Sequence, residues 1–290
     1  MGAPSSSVLV QRGESGVVVE IPRPLAPAGG IVRLEVVIPL ALGPRAEEFQ
    51  VQASAFGREV PFFLQQESRM GHRYCGWVGV PFEQSQGEVS IPIRVQHAQG
   101  KVFRVRAALT VLAGDYPSET LTVDPRHISP NAQALQRIRR EQAELGALYR
   151  RSATQRLWRG SFREPIESVL TSRFGIRRLY NGEMRNYHQG ADYRAATGTP
   201  ILAAGEGRIA LAKELYLTGN TVIIDHGLGL FTIYAHLNEL RVVAGQKIDS
   251  GSLLGLSGMT GRASGPHLHF GVNLHRVRVN PEDLFHWVKD

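Results

Sequence analysis

Between Val8 and Leu112, turn-forming residues interrupt the chain before any segment can grow long. Pro24-Leu25-Ala26-Pro27, Gly29-Gly30, Gly43-Pro44, Ser85-Gln86-Gly87 and Gln99-Gly100 stand as breakers. The segments between them, residues 17–21, 31–38, 49–56, 60–64, 74–80, 89–95 and 102–111, are rich in Val, Ile and Phe. In the third of these, Phe49, Val51, Ala53 and Ala55 alternate with polar residues, which is the period of a half-buried strand. Seven short strands predict an antiparallel β-sandwich of immunoglobulin-like type. Cys75 is the single cysteine, so the disulfide of true immunoglobulin domains is ruled out, as is any zinc site built on cysteines. His72, His97 and Trp77 read as packing or surface residues.

A change of rhythm follows. Ser129-Pro130 is a helix-start signal, Ser as N-cap and Pro at the first helical position. Leu135, Ile138, Leu145, Leu148 and Tyr149 then recur at helical spacing, predicting a connecting helix that ends near Arg156. Much of the formal charge of +7 sits here, in Arg137, Arg139, Arg140, Arg150, Arg151, Arg156 and Arg159. With Glu141 and Glu144 interspersed, this reads as a solvated helix face, and no nucleic-acid module accompanies it. Beyond residue 160, segments 200–212, 221–225, 230–236, 253–256 and 267–274 again read as strands separated by glycines, predicting a compact antiparallel β domain with a groove. At 290 residues, two domains are expected: a β-sandwich over 1–125, the helix over 126–158 and a second β domain over 159–290. The chain is mainly β, and its apolar runs are too short to span a bilayer.

Two segments carry the chemistry: Asn186-Tyr187-His188-Gln189-Gly190-Ala191-Asp192 and Gly265-Pro266-His267-Leu268-His269-Phe270. His-x-x-x-Asp sets a nitrogen donor and an oxygen donor close in sequence, and Zn2+ accepts both. On a strand, His267 and His269 share one face while Leu268 points to the other, so one imidazole can ligate a metal while its neighbour stands beside an open coordination position. A third segment, Ile233-Tyr234-Ala235-His236-Leu237, carries another histidine in an apolar strand. His226, His275 and His286 read as turn or chain-end residues without a role.

In order and spacing these segments resemble the lysostaphin/LytM-type zinc metallopeptidases, the peptidoglycan endopeptidases of bacterial cell walls. The resemblance covers roughly residues 160–290 and includes Phe174-Gly175, Gly198-Thr199-Pro200, Gly219-Asn220-Thr221-Val222 and Thr260-Gly261-Arg262. It implies His188, Asp192 and His269 as zinc ligands, and His236 and His267 as the catalytic pair. It further implies hydrolysis of peptide bonds in peptidoglycan stems or cross-bridges, and a periplasmic or cell-envelope location. No charged segment followed by a hydrophobic one stands at the start, so an export signal is expected to have been removed. Tyr180, Asn181, Arg185 and Tyr187 are candidates for contacting substrate. Two other readings compete: a regulator on the same fold that activates an amidase or binds a divisome partner, and a lipoyl-type carrier domain suggested by Ala203-Ala204-Gly205-Glu206-Gly207. Regulators of the first kind typically lack one or more metal ligands, whereas every position is filled here, which ranks that reading below the enzyme. The second needs a modified lysine at an exposed hairpin tip, and no convincing one stands in the sequence.

Overall fold

The structure is a computed structural model describing residues 8–13, 15–121, 131–180 and 183–287. The chain packs as two compact units, one ending at Gly114 and the other beginning at Asp115.

The first unit holds β1 (Leu9–Arg12), β2 (Val18–Ile21), β3 (Leu25–Pro27), β4 (Ile31–Ile38), β5 (Phe49–Ala55), β6 (Arg58–Ser68), β7 (Gly71–Gly79), β8 (Gly87–His97) and β9 (Val102–Leu112). All seven expected strands form, and the mainly β reading stands. Their hydrogen bonding runs as one curled path, β1-β2-β4-β7-β6-β5-β8-β9-β3, instead of two separate sheets. The join is β6, which pairs with β5 through Pro61 and with β7 from Phe62 onward. The curl lets inward residues of both halves, among them Leu34, Val36, Val51, Ile91 and Leu109, bury against one another in a single core. Pro24-Leu25-Ala26-Pro27, expected as a breaker, instead supplies β3, a short strand parallel to the end of β9. Proline is tolerated there because the strand lies at the sheet edge.

In the second unit, β10 (Ser118–Leu121) precedes helix α1 (Ala132–Tyr149). The helix start differs from expectation. Asn131 is the N-cap, its side chain accepting from the Ala134 amide at 2.9 Å, and Ser129 and Pro130 lie outside the described residues. The helix also stops at Tyr149, short of Arg156, because Asp225 draws the following residues away. Its carboxylate accepts from the Ser152 hydroxyl at 2.6 Å and the Ala153 amide at 2.9 Å. The apolar stripe is likewise shorter: Leu135 is exposed, whereas Leu145, Leu148 and Tyr149 pack on Leu211, Leu215, Ile223, Phe231 and Ile233. Glu141, expected on a solvated face, is buried and accepts from the Tyr216 amide at 2.8 Å.

The remaining elements are β11 (Leu170–Ser172), β12 (Arg177–Tyr180), β13 (Glu183–Tyr187), β14 (Ala191–Arg194), β15 (Pro200–Leu202), β16 (Gly207–Leu215), β17 (Gly219–Gly227), β18 (Leu230–Leu240), β19 (Lys247–Ile248), β20 (Leu253–Ser257), β21 (His267–Leu274), β22 (Val277–Val279) and a short helix α2 (Pro281–Trp287). The main sheet runs β11-β14-β21-β18-β17-β16-β19. The expected strand over 200–212 is two strands, because the chain leaves its pairing with β20 and enters a new one with β17. At that break the Ala204 amide donates to the buried Tyr234 hydroxyl at 2.8 Å. The middle strands β17, β18 and β21 are buried along nearly their whole length, forming a rigid floor with Tyr234, Phe231 and Phe270 among the largest buried side chains. Among the described residues no helix is long and apolar enough to cross a membrane.

Candidate metal centre

Three adjacent strands set the site. In β21, His267 and His269 lie on one face while Leu268 is fully buried on the other, as the period-two argument requires. Strand β14 pairs with it so that Asp192 stands directly across from His269 and Tyr193 turns into the core. Cross-strand partners share a face, so carboxylate and imidazole meet: Asp192 Oδ1 lies 2.8 Å from His269 Nδ1. His188 comes from the connection between β13 and β14, held by its own amide on the Ile176 carbonyl at 2.9 Å. Its Nε2 is 3.0 Å from Asp192 Oδ1 and 3.1 Å from His269 Nδ1. The donor atoms of His188, Asp192 and His269 all lie within 4.8 Å of one another.

His236 reaches the same face by a different route. Its neighbour Ala235 is the β18 partner of His269, so strict alternation would send the His236 ring to the opposite face. A register shift against β17 between Asn220 and Val222 marks a bulge there, and His236 has a φ of 60°. Such a backbone is uncommon for a residue with a side chain, and bulges re-aim side chains next to functional sites. Here the bulge brings the His236 ring to 4.8 Å from that of His267 and 6.0 Å from that of His269, centroid to centroid. The His236 amide is held by the Thr218 carbonyl at 2.8 Å.

Main-chain carbonyls define the protons on three of the rings. His188 Nδ1 faces the Arg173 carbonyl at 2.8 Å, His236 Nδ1 the Thr260 carbonyl at 2.8 Å and His267 Nδ1 the Gly265 carbonyl at 2.8 Å. A ring nitrogen against a carbonyl carries the proton, so in each neutral ring Nε2 is left with its lone pair. His188 Nε2 therefore meets the Asp192 carboxylate as one acceptor beside another, a contact that a cation, or a proton on His269 Nδ1, reconciles. Burial disfavours the protonated alternative: it holds His269 below its usual pKa even though Asp192 opposes the shift. For Asp192 itself burial pushes upward, yet its close approach to His188 and His269 outweighs it and holds the carboxyl well below the usual range. Two nitrogens and a carboxylate oxygen converging on one point fit a divalent ion of the zinc type. His236 is pushed down to about 4, mainly by burial, so it is neutral at pH 7.

The five histidine and aspartate residues singled out in the sequence thus come together. His267 stands just outside the three, its Nε2 3.8 Å from Asp192 Oδ1. Tyr187 packs edge-on to Phe174, its ring centroid 5.9 Å away. Asn181 and the side chains of Tyr180 and Arg185 lie outside the described residues. His226, expected in a turn, is within β17 and buried between the Glu206 carbonyl (2.6 Å) and the Thr232 hydroxyl (2.8 Å). Sequence reasoning missed two supporting residues. Thr260 fixes His236 through its carbonyl, while its hydroxyl ties the Asn220 amide (2.9 Å) to the Leu237 carbonyl (2.7 Å). Gly190 lets His269 approach: a Cβ there would lie 2.5 Å from the Phe270 carbonyl oxygen and 2.6 Å from His269 Cε1.

Comparison with known proteins finds likenesses over the same part of the chain. Residues 186–281 match Peptidase family M23. Peptidoglycan DD-endopeptidase ShyA of Vibrio cholerae is 39% identical over 127 residues, covering 43% of this chain and 30% of that protein. The DD-carboxypeptidase/endopeptidase Mpg of Neisseria meningitidis is 36% identical over 116 residues, 40% of this chain and 27% of that protein. The chain thus spans less than a third of the length of these curated relatives. Among solved structures, a putative peptidase M23 from Pseudomonas aeruginosa aligns with a TM-score of 0.66 at 28% identity, covering 91% of this chain and 95% of that one. Both motifs, the strands that bring them together and these likenesses agree on one conclusion: the chain carries a domain of peptidase family M23.

Proposed function

We propose that this protein is a zinc-dependent endopeptidase that hydrolyses peptide bonds in peptidoglycan stems or cross-bridges, acting in the periplasm or cell envelope. The observation that carries the reading is the convergence of His188 Nε2, Asp192 Oδ1 and His269 Nδ1, with the His188 ring pinned so that only its lone pair faces the others. These three would hold the metal. When bound, Zn2+ lowers the pKa of a coordinated water and polarises the scissile carbonyl.

The remaining work falls to the chain's own imidazoles. His236 is depressed to about 4 and is therefore a weak proton acceptor at neutral pH. With its Nδ1 proton committed to the Thr260 carbonyl, it orients the attacking water by accepting a hydrogen bond at Nε2. His267, more exposed and likewise pinned at Nδ1, accepts the water proton at Nε2 and returns it to the leaving amine. We assign residues 1–125 an accessory role, 126–158 a bracing role and 159–290 the catalytic role. Likeness to the DD-endopeptidases supports a D,D crosslink as the bond cut.

The test is digestion of purified sacculi by the zinc-loaded chain, with products identified by mass and bound metal counted by elemental analysis. One equivalent of metal with release of crosslink fragments is expected. A stoichiometric metal with no cleavage of sacculi of any cross-bridge type would overturn the enzymatic reading in favour of the regulator.

A further inference from the structure

The first unit contains a cleft of about 1230 Å³, remote in sequence from the metal cluster, whose lining includes Arg12, Arg94, Arg104 and Arg106 against, among the described residues, the carboxylate of Glu59. The cleft is broad and open to solvent, a shape that suits part of an extended polymer better than an enclosed small molecule. Its floor is the outward face of β5, β8 and β9. Gln52, Arg94, Arg104 and Arg106 are exposed there, while Val51, Ala53, Ile93, Val95 and Val105 point into the core. Arg94 and Arg104 are directly opposed cross-strand partners, Gln52 continues the same row on β5, and Arg106 stands across from Pro92 in the next row.

Like charges directly opposite on neighbouring strands are destabilising, and such rows are ordinarily relieved by interleaved carboxylates. Among the described residues no ion pair relieves Arg94 or Arg104, and the Arg106 contact is a 3.5 Å approach to the Ser90 hydroxyl. Among the described residues the Arg94–Arg104 repulsion is thus uncompensated, and a bound anion would remove it. A guanidinium presents a fork of donors that matches a carboxylate in bidentate fashion. Gln52 and Ser54 beside the arginines add neutral groups for amides and hydroxyls.

We propose that this cleft is a second binding site, taking the free carboxylates of uncleaved peptidoglycan peptide stems and holding the wall against the chain independently of the metal centre. The identity of the ligand rests on the function proposed above. The basic cleft itself does not.

The experiment is cosedimentation of the full chain with purified sacculi in the presence of chelator, so that binding is read without turnover. Wild type is compared with Arg94→Gln/Arg104→Gln and with Arg94→Lys/Arg104→Lys, on native sacculi and on sacculi whose carboxylates have been converted to amides. The glutamine variant is expected to bind native sacculi at least about tenfold more weakly, and wild type to lose as much on amidated sacculi. Lysine, which keeps charge without the fork, is expected to restore only part. Melting of the glutamine variant should be at or above wild type, since a repulsion is removed. The proposal is overturned by wild-type binding in the glutamine variant, by undiminished binding to amidated sacculi, by full restoration with lysine, by a lowered melting temperature, or by a chain that pellets with insoluble polyphosphate and not with sacculi. Zinc-loaded digestion is scored separately. Sacculi held through Arg94 and Arg104 yet never cut would sink the catalytic reading and leave the cleft standing; sacculi cut but not held through these residues would do the reverse.

Discussion

Gly190→Ala places one methyl group where the structure has no room. The new Cβ would sit 2.6 Å from His269 Cε1, 2.7 Å from His269 Nε2 and 2.5 Å from the Phe270 carbonyl oxygen. Carbon atoms pack at about 3.5–4.0 Å, so relief requires a displacement of roughly 1 Å by the ring or the strand. The strand cannot yield cheaply, because β21 is paired on both sides, to β14 and to β18. The ring must therefore swing, moving its Nδ1 away from Asp192, while the backbone at residue 190 backs off the Phe270 carbonyl. Overpacking of this kind costs about 1–3 kcal/mol, or roughly 2–12 °C in melting temperature for a unit of this size. Displacing the support of a metal ligand costs about 10–100-fold in metal affinity. The assay is competition for zinc against a chromophoric chelator, paired with thermal melts of the metal-free protein. Gly265→Ala is the control, since a Cβ there meets nothing within 4 Å although the residue lies beside His267. If Gly190→Ala binds zinc and melts as wild type does, the close approach to His269 is not a constraint and the geometric argument fails.

Asp192→Ala and His269→Ala should lose metal and sacculus digestion together, whereas His267→Ala should keep metal and lose about 10²–10⁴-fold in turnover; activity retained in any of the three refutes its assigned role. Thr260→Val removes the hydroxyl that ties the Asn220 amide to the Leu237 carbonyl, so kcat should fall with KM little changed as the His236 ring loses its fixed support; a change confined to KM would refute a positioning role. Buried His226 is lowered to about 4 from 6.5, so it stabilises the fold fully above pH 6.5 and that contribution, about 3 kcal/mol, is lost as pH falls from 6.5 to 4. Denaturant unfolding in chelator at pH 7.5 and 4.5 should show the loss, and His226→Gln should flatten it; an equal slope in the variant would refute the assignment.

The elements most legible in the sequence are those whose pattern reflects a single local period. Strand 267–274 was expected with the bounds it has, and with it the shared face of His267 and His269, because alternation on a paired strand needs no knowledge of the partner. The helix ends were misjudged because the sequence offers several plausible caps and stops. Asn131 and the distant Asp225 carboxylate outcompeted the local signals. Burial of Glu141 was hidden for a related reason, since its partner is the Tyr216 amide on the strand beneath.

By itself, the order of residues determined a mainly β chain with one long helix and named the five side chains of the candidate centre, because residue type and spacing suffice to state which donors are present. Tertiary structure alone decided how they face one another. Alternation would have turned His236 away, and only a bulge at a φ of 60° returns its ring to the face of His267. The protons on His188, His236 and His267 follow from the carbonyls of Arg173, Thr260 and Gly265, groups every residue possesses and no side-chain pattern reveals. Backbone oxygens carry no signature in a sequence until folding aims them.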